Sequence, residues 1–377
     1  MIRLIGPALA SFSLCLVAIV ALRPLAIAMD LIDRPGGRKT HRGEVPLVGG
    51  VAMFLGITIG IGLLSPPEST GAAFLAAGAV LVTVGFLDDR FDVSPWMRLP
   101  VQFAAAVVLM VGTDVTVRSL GSPFGAHPIE LTGIGSHAFT VLIIMAAINA
   151  FNMLDGMDGL AGTTAIIAFA ALAVCAASGG NGVVLSVSLV LIGAVSAFLM
   201  FNLPARFNRD MRCFMGDAGS TLLGVAVAWL CLQVSQGTHA AAAPVTTLWF
   251  VALPLYELLW SIVRRLLRGE SPFKGDGEHF HHLLLRAGFG VRAAFGVFVT
   301  LASVLALVGV LLEVAGVPEV YSFTLLVACG CGVVTLMHHS ANLRSLLAEP
   351  RRRPAPLVTS AHSEAVKQGS FETEASR

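Results

Sequence analysis

The sequence predicts an all-α polytopic membrane protein of about eleven transmembrane helices, and three observations carry that reading. Of its 377 residues, 56% are hydrophobic and 12% are charged, against roughly 45–50% and 25% in ordinary soluble domains. The apolar residues gather in long runs, near 4–28, 47–64, 71–87, 99–113, 137–154, 160–178, 183–203, 218–235, 244–263, 291–315 and 321–340. A hydrocarbon core of about 30 Å takes about 20 helical residues to cross, so these runs are the candidate spans. Finally, the Lys and Arg residues sit almost entirely in one set of alternate connections, leaving Arg3 and Arg118 in the other set. By the positive-inside rule the basic side is cytoplasmic, which places the N-terminus outside and the C-terminus inside.

Taken in order, the first run lacks the clustered basic start of a signal peptide and is followed by a charged loop and further spans, so it reads as a retained helix. Gly56 and Gly60 have the spacing of close helix packing. The outward connection 114–136 is β-branched and punctuated by Gly and Pro, which suits a hairpin. Residues 1–345 read as the membrane domain. Residues 346–377 turn polar, rich in Arg, Pro, Ser and Glu, and read as a disordered cytoplasmic tail whose Arg351, Arg352 and Arg353 touch anionic lipid. Five of the six cysteines lie in apolar runs, so disulfides and a zinc site are not expected. A formal net charge of +1 gives no polyanion footprint, and no nucleic-acid partner is expected.

The most informative stretch is NAFNMLDGMDGLAG, 149–162, where two apolar runs converge on Asn149, Asn152, Asp155 and Asp158. Read as a helix, Asn152, Asp155 and Asp158 share one face. A carboxylate at the bilayer centre costs about 2.5 to 3.5 kcal/mol, so these acids belong at the wet end of a span or in a water-filled cavity.

Four more loops on the same side carry polar clusters. Residues 30–50 hold Arg38, Lys39, His41 and Arg42 before a Pro/Gly turn, suited to a dianionic or diphosphate ligand but also to ordinary positive-inside residues. In GFLDDRFDVSP, Asp88 and Asp89 adjoin an apolar run; adjacent carboxylates repel, and a hard cation shared with phosphate relieves them. In FMGDAGST, Asp217 precedes a helix start, where it is either an N-cap or the neighbour of a metal-bound phosphate. The loop EHFHHLLLRAGF presents His279, His281 and His282. It lacks the continuation of a two-metal hydrolytic site, so its imidazoles suit phosphate or sugar oxygens better than zinc. Acids for a cation and bases for phosphates on one membrane face imply a phosphorylated substrate that meets a lipid.

These motifs, RKTH with PLVGG, GFLDDRFD, NAFNMLDGMDGLAG, FMGDAGST and HFHHLLLRAGF, resemble the polyprenyl-phosphate N-acetylhexosamine-1-phosphate transferase superfamily, and most nearly its bacterial undecaprenyl-phosphate N-acetylglucosaminyl branch. The resemblance runs from about residue 30 to 289. It implies transfer of a sugar 1-phosphate from a UDP-N-acetylhexosamine to undecaprenyl phosphate, with release of UMP, in the bacterial inner membrane, using Mg²⁺ or Mn²⁺. Starting O-antigen or a related surface polysaccharide is the implied role.

On matching positions, Asp88 and Asp89 resemble the pair that activates the lipid phosphate or binds metal, and Asp217, Asn152 and Asp89 resemble the metal ligands. Asp155 and Asp158 resemble the nucleotide and catalytic acids. Arg38, Lys39, His41, Asn149, Arg265, His279, His281 and His282 are the implied substrate-binding residues. Two positions depart from the family pattern: Glu257 stands where Asp is frequent, and Phe280 where a β-branched aliphatic is usual. Both bear on which sugar is used. The lipid phosphate is largely ionised near neutral pH, so direct single displacement is expected without a compulsory base.

Competing readings are the related phospho-N-acetylmuramoyl-pentapeptide transferase, an ion-coupled transporter, and a structural membrane protein. A transporter would place its acids near span midpoints and show inverted repeats; here the acids gather at helix ends and no repeat is visible. A purely structural protein would leave the clustered polar groups unexplained. Whether the chain forms a homodimer is left open by the sequence.

Overall fold

The computed structural model describes residues 2–34, 44–64, 69–125, 127–204, 211–237, 239–271 and 278–347. Among them the chain forms thirteen helices. The first eight are α1 (Ile2–Ala28), α2 (Gly49–Gly62), α3 (Ser69–Phe91), α4 (Pro95–Thr113), α5 (Gly133–Leu154), α6 (Leu160–Gly179), α7 (Gly182–Asn202) and α8 (Gly216–Ser235). The rest are α9 (Pro244–Phe250), α10 (Ala252–Leu267), α11 (Phe280–Arg286), α12 (Val291–Val314) and α13 (Glu319–Leu347).

Nine of the described helices are long and apolar enough to cross a membrane, and a tenth crossing arises if the bent pair α9 and α10 is counted as one. The chain is therefore an all-helical, polytopic membrane protein. Each expected apolar run holds helix, but two are not simple spans. The second, α2, has only 14 residues, about 21 Å at 1.5 Å per residue, short of an upright crossing. The ninth is broken, with an 83° bend between α9 and α10. Pro254 explains the break: it has no N–H to donate to the Phe250 carbonyl, and its ring crowds that carbonyl.

The short strands β1 (Ile32–Asp33) and β2 (Val45–Pro46) pair antiparallel and close the base of the first loop. The expected hairpin in 114–136 is present as an antiparallel Ser119–Glu130 bridge flanked by backbone hydrogen bonds. Gln236, beyond α8, ties it down by accepting from the Arg118 and Ser119 amides.

At the centre stands α8, packed against α2, α3, α5 and α6, with most of its length buried. A helix that meets protein all round needs no lipid-facing stripe, which lets it carry Gly, Ser and Thr where a peripheral span carries Leu and Val. By contrast α1, α12 and α13 leave Leu9, Val17, Leu307, Leu311 and Leu325 exposed, as lipid-facing surfaces should. The half-helix α10 is inside out relative to a soluble helix. Its buried face holds Glu257, Ser261, Arg264 and Arg265, while Leu259, Val263, Leu266 and Leu267 face outward. Apolar surroundings and a polar protein interior account for that inversion.

The end of α3 lies close against the start of α8 because Gly85 has no side chain. A Cβ there would come within 3 Å of the Ala218 backbone, a contact no rotamer change can relieve. Overpacking of this kind costs about 1–3 kcal/mol. Gly85→Val is therefore expected to lower the apparent melting temperature in detergent by several degrees. Thermal size-exclusion chromatography checks it, with Gly62→Val, in open space, as the neutral control.

Candidate active site

The ends of α3, α4, α5, α8, α10 and α11 enclose a cleft of about 870 Å³. Asp88, Asn149, Asn152, Asp155, Asp217, Arg265, His279, His281 and His282 all line it. Residues up to 194 positions apart in sequence, Asp88 and His282, thus meet at one end of the bundle, as the one-sided loop clustering predicts. The other large cavity, lined by Thr70, Asn181, Trp229 and His239, has no charged side chain among its described lining residues. Arg38, Lys39 and His41 lie outside the described residues.

The two adjacent aspartates divide their work. Asp89 turns inward and caps α8 from a different helix: the Asp217 amide donates to its Oδ1 at 2.8 Å, and the Ala218 amide to its Oδ2 at 3.4 Å. Orphan N–H groups and the positive end of the helix dipole favour a carboxylate there. Gly216 makes room, since its φ of +70° suits glycine and a Cβ would strike the Asp89 carboxylate. Asp217 is consequently not the N-cap; it lies in the first turn of α8 and faces the cleft.

Asp88 faces the cleft as well. Its Oδ1 accepts from the Val93 amide at 2.7 Å and its Oδ2 from Arg98 Nη1 at 2.6 Å. The same Nη1 donates to Asp217 Oδ2 at 2.7 Å, so carboxylate oxygens from α3 and α8 converge on one positively charged nitrogen. Asn152 completes the group, donating from Nδ2 to Asp217 Oδ1 at 2.7 Å and to Ser220 Oγ at 3.1 Å.

Residues Asn152, Asp155 and Asp158 do not share one helical face as the sequence suggests. Helix α5 ends at Leu154, and Asp155 is its C-cap with a non-helical ψ of 44°. The Gly156 and Gly159 backbone turns the chain, Gly159 taking φ +77°. Asp155 stays open to the cleft. Desolvation by the enclosing bundle end, then repulsion from Asp217, Asp89 and Asp158, push its carboxyl up, and water at its open side limits that effect. Asp158 pairs with Arg212, which also packs over the Phe214 ring. It is not among the lining residues of the cleft. Asn149 donates to Gln102 Oε1 at 2.8 Å and presents itself to the cleft beside it.

The opposite wall is the histidine cluster. The His281 and His282 ring centroids are 4.2 Å apart, and His279 stacks at 5.8 Å from His281. Half-helix α10 organises the group from behind. One oxygen of buried Glu257 lies 3.2 Å from His279 Nδ1 and accepts from the Phe280 amide at 3.1 Å. Arg264 and Arg268 hold Glu278, the residue before the cluster. Glu257 therefore positions the histidines and does not line the cleft. Phe280 points away from the cleft, buried against Phe298 of α12, so its aromatic ring leaves the pocket wall unchanged.

His281 is 1% exposed, and both its ring nitrogens lack a hydrogen-bond partner among the described residues. Unpartnered polar atoms at a cleft wall are what a polar ligand would satisfy. Burial, then the neighbouring His282 and His279, lower its pKa to about 3.

Sequence reasoning missed Arg98, Arg212 and Glu257 as site residues. Arg98 and Arg212 were legible only as positive-inside residues. Glu257 was noticed as a departure in pattern, and its clue was a charge within an apolar run. Among the described residues no three His, Cys, Asp or Glu side chains stand at metal-ligand spacing. The hard oxygens of Asp88 and Asp217 nevertheless fit a magnesium-type ion, which takes one or two carboxylates and fills its shell with water and phosphate.

Comparison with known proteins identifies the family. The glycosyl transferase family 4 profile matches residues 72–235, the segment that carries Asp88, Asp89, Asn152, Asp155, Asp158 and Asp217. An undecaprenyl-phosphate alpha-N-acetylglucosaminyl 1-phosphate transferase of Escherichia coli K12 is 40% identical over 298 residues, covering 79% of this chain and 81% of the relative. The chain belongs to glycosyl transferase family 4. Other family members of the same name include those of Yersinia pestis, 37% identical over 291 residues covering 77% and 79%, and Haemophilus influenzae, 37% identical over 301 residues covering 80% and 84%.

The low His281 pKa has a consequence for acid stability. An imidazole kept neutral by the fold, but protonating near 6.5 once unfolded, contributes nothing adverse above about pH 6.5 and costs stability progressively as pH falls toward about 3. His281→Gln should flatten the decline in melting temperature between about pH 6.5 and pH 5, read by differential scanning fluorimetry at matched ionic strength.

Proposed function

We propose that this family member transfers N-acetylglucosamine 1-phosphate from UDP-GlcNAc to undecaprenyl phosphate, releasing UMP, at the cytoplasmic face of a bacterial inner membrane. The observation that carries the reading is the cleft itself: two carboxylates converging on a cation position, a histidine and arginine wall opposite, and an apolar flank. The sugar rests on the names of relatives 37–40% identical over about four-fifths of the chain. The N-terminus is assigned outside and the C-terminus inside by the distribution of basic residues.

The chemistry is phosphoryl transfer, in which positioning and charge neutralisation dominate. The apolar flank, including Leu81, Val84, Leu142, Met145, Leu258 and Ile262, suits the polyprenyl chain, with its phosphate delivered toward Asp88. An oxygen of that phosphate attacks the phosphorus that carries the sugar, a new P–O–P bridge forms, and the bond to the UMP phosphate breaks. The nucleophile is mostly ionised near neutral pH, because a second phosphate pKa is about 6. No general base is compulsory, and a direct single displacement follows.

His279, His281, His282 and Arg265 donate to the diphosphate and sugar oxygens, with Glu257 holding His279 in orientation. Asp155, with the Asp158–Arg212 pair behind it, suits the nucleotide. Asp88, Asp217 and the Asn152 amide oxygen, after rotation of that amide, are the residues that would hold Mg²⁺ or Mn²⁺. Bound there, the ion would neutralise charge developing on the phosphoryl oxygens. Asp89 serves as the cap that fixes Asp217 and is not a direct ligand in this scheme. Initiation of O-antigen or a related surface polysaccharide is the biological role that fits this product.

The test is UMP release by purified protein in detergent with undecaprenyl phosphate and Mg²⁺, offering UDP-GlcNAc, UDP-GalNAc and UDP-MurNAc-pentapeptide in parallel. Lipid-dependent, EDTA-sensitive release with UDP-GlcNAc is expected, and Asp217→Asn should reduce it at least about 100-fold without lowering the melting temperature. Release only with the pentapeptide donor would assign the chain to cell-wall synthesis, and release insensitive to both EDTA and Asp217→Asn would remove the metal from the scheme.

A further inference from the structure

The aspartate pair at the cleft is bridged by Arg98, in the first turn of α4. A single nitrogen, Nη1, reaches Asp88 Oδ2 at 2.6 Å and Asp217 Oδ2 at 2.7 Å. The second oxygen of each carboxylate is already occupied, by the Val93 amide and by Asn152 Nδ2. In this orientation of Asn152, the oxygens left for a ligand are the two that Arg98 holds. Its side chain is 31% exposed and lines the cleft, and its Nε and Nη2 have no hydrogen-bond partner among the described residues.

We propose that Arg98 is the displaceable counter-ion of the Asp88–Asp217 pair: it holds both oxygens until a divalent cation takes them, then offers its freed guanidinium to a substrate phosphate. This rests on the proposed cation site at those two residues. Charge supports the exchange. One guanidinium leaves the pair with an uncompensated negative charge, whereas a divalent ion neutralises it. Released, Arg98 carries its own charge and its fork of N–H donors into the cleft, a match for phosphate oxygens that a carboxylate pair cannot provide. A long, partly exposed side chain anchored at a helix start and lining the cleft can make that move without backbone rearrangement.

The alternative is that Arg98 is a fixed strut that orients the aspartates. The two roles predict opposite effects on metal affinity. A strut, once removed, leaves the acids disordered and metal binding weaker. A competitor, once removed, leaves metal binding tighter.

The experiment titrates Mn²⁺ by electron paramagnetic resonance into the full-length wild type, Arg98→Met, Arg98→Lys and Asp217→Asn without substrate, and in parallel measures KM for undecaprenyl phosphate and UDP-GlcNAc. Arg98→Met is expected to bind Mn²⁺ about tenfold tighter while KM for one of the phosphate substrates rises about tenfold or more. Arg98→Lys, which keeps a charge without the fork, should fall between wild type and Arg98→Met in Mn²⁺ affinity and keeps the test decisive if the Met variant does not fold. Equal or weaker Mn²⁺ binding in both variants, alongside loss of binding in Asp217→Asn, would overturn the counter-ion role and leave the cation site standing. No Mn²⁺ binding by any form, wild type included, would overturn the cation site and this inference together.

Discussion

The mutual repulsion of carboxylates crowded at one end of a helical bundle is the constraint on which the rest of this structure depends. Asp88, Asp89, Asp155, Asp158 and Asp217 come from three stretches of chain and meet where water is limited. Ionised together in a low dielectric they would force the bundle end apart. Each has instead been given an identifiable electropositive neighbour or an opening to water. Asp89 has the amide N–H groups of α8, Asp88 and Asp217 share Arg98, Asp158 has Arg212, and Asp155 faces the cleft.

That arrangement dictates the packing around it. A carboxylate of α3 can cap α8 only if the two helices approach closely, which is why Gly85 and Gly216 stand at the contact. Helix α8 in turn can carry Asp217, Ser220 and Thr221 at its start because it is enclosed by α2, α3, α5 and α6 and presents no apolar stripe to lipid. On the far wall the break at Pro254 bends α10 by 83° from α9, and its charged face is turned inward. The same break that spoils a simple span supplies Glu257, Arg264 and Arg265 to the histidine loop.

Much of the fold and part of the site were legible in the sequence. The apolar runs locate the helices, and the Asp88–Asp89 pair and the Asn152, Asp155 and Asp217 positions announce themselves because an acid beside an apolar run needs a reason. The division of labour between Asp88 and Asp89 was not legible, because adjacent residues at a helix end differ only in which neighbour they meet. Arg98 was hidden for a different reason: an arginine at the basic end of a span satisfies the positive-inside rule by itself, so nothing in the sequence marks it as a bridge. The helical face expected through Asp158 failed because Gly156 and Gly159 permit a turn that periodicity does not register. Phe280, which by pattern belonged to the sugar pocket, is drawn into the packing against Phe298 instead.

The proposed cation position at the reacting phosphates is formed by Asp88 of α3 and Asp217 of α8 together. Anomalous diffraction from crystals grown with Mn²⁺ and UDP-GlcNAc tests it most directly. One manganese peak within coordination distance of both carboxylates and of a diphosphate oxygen is expected. A peak seated between Asp155 and Asp158, with Asp88 and Asp217 still bridged by Arg98, would contradict it.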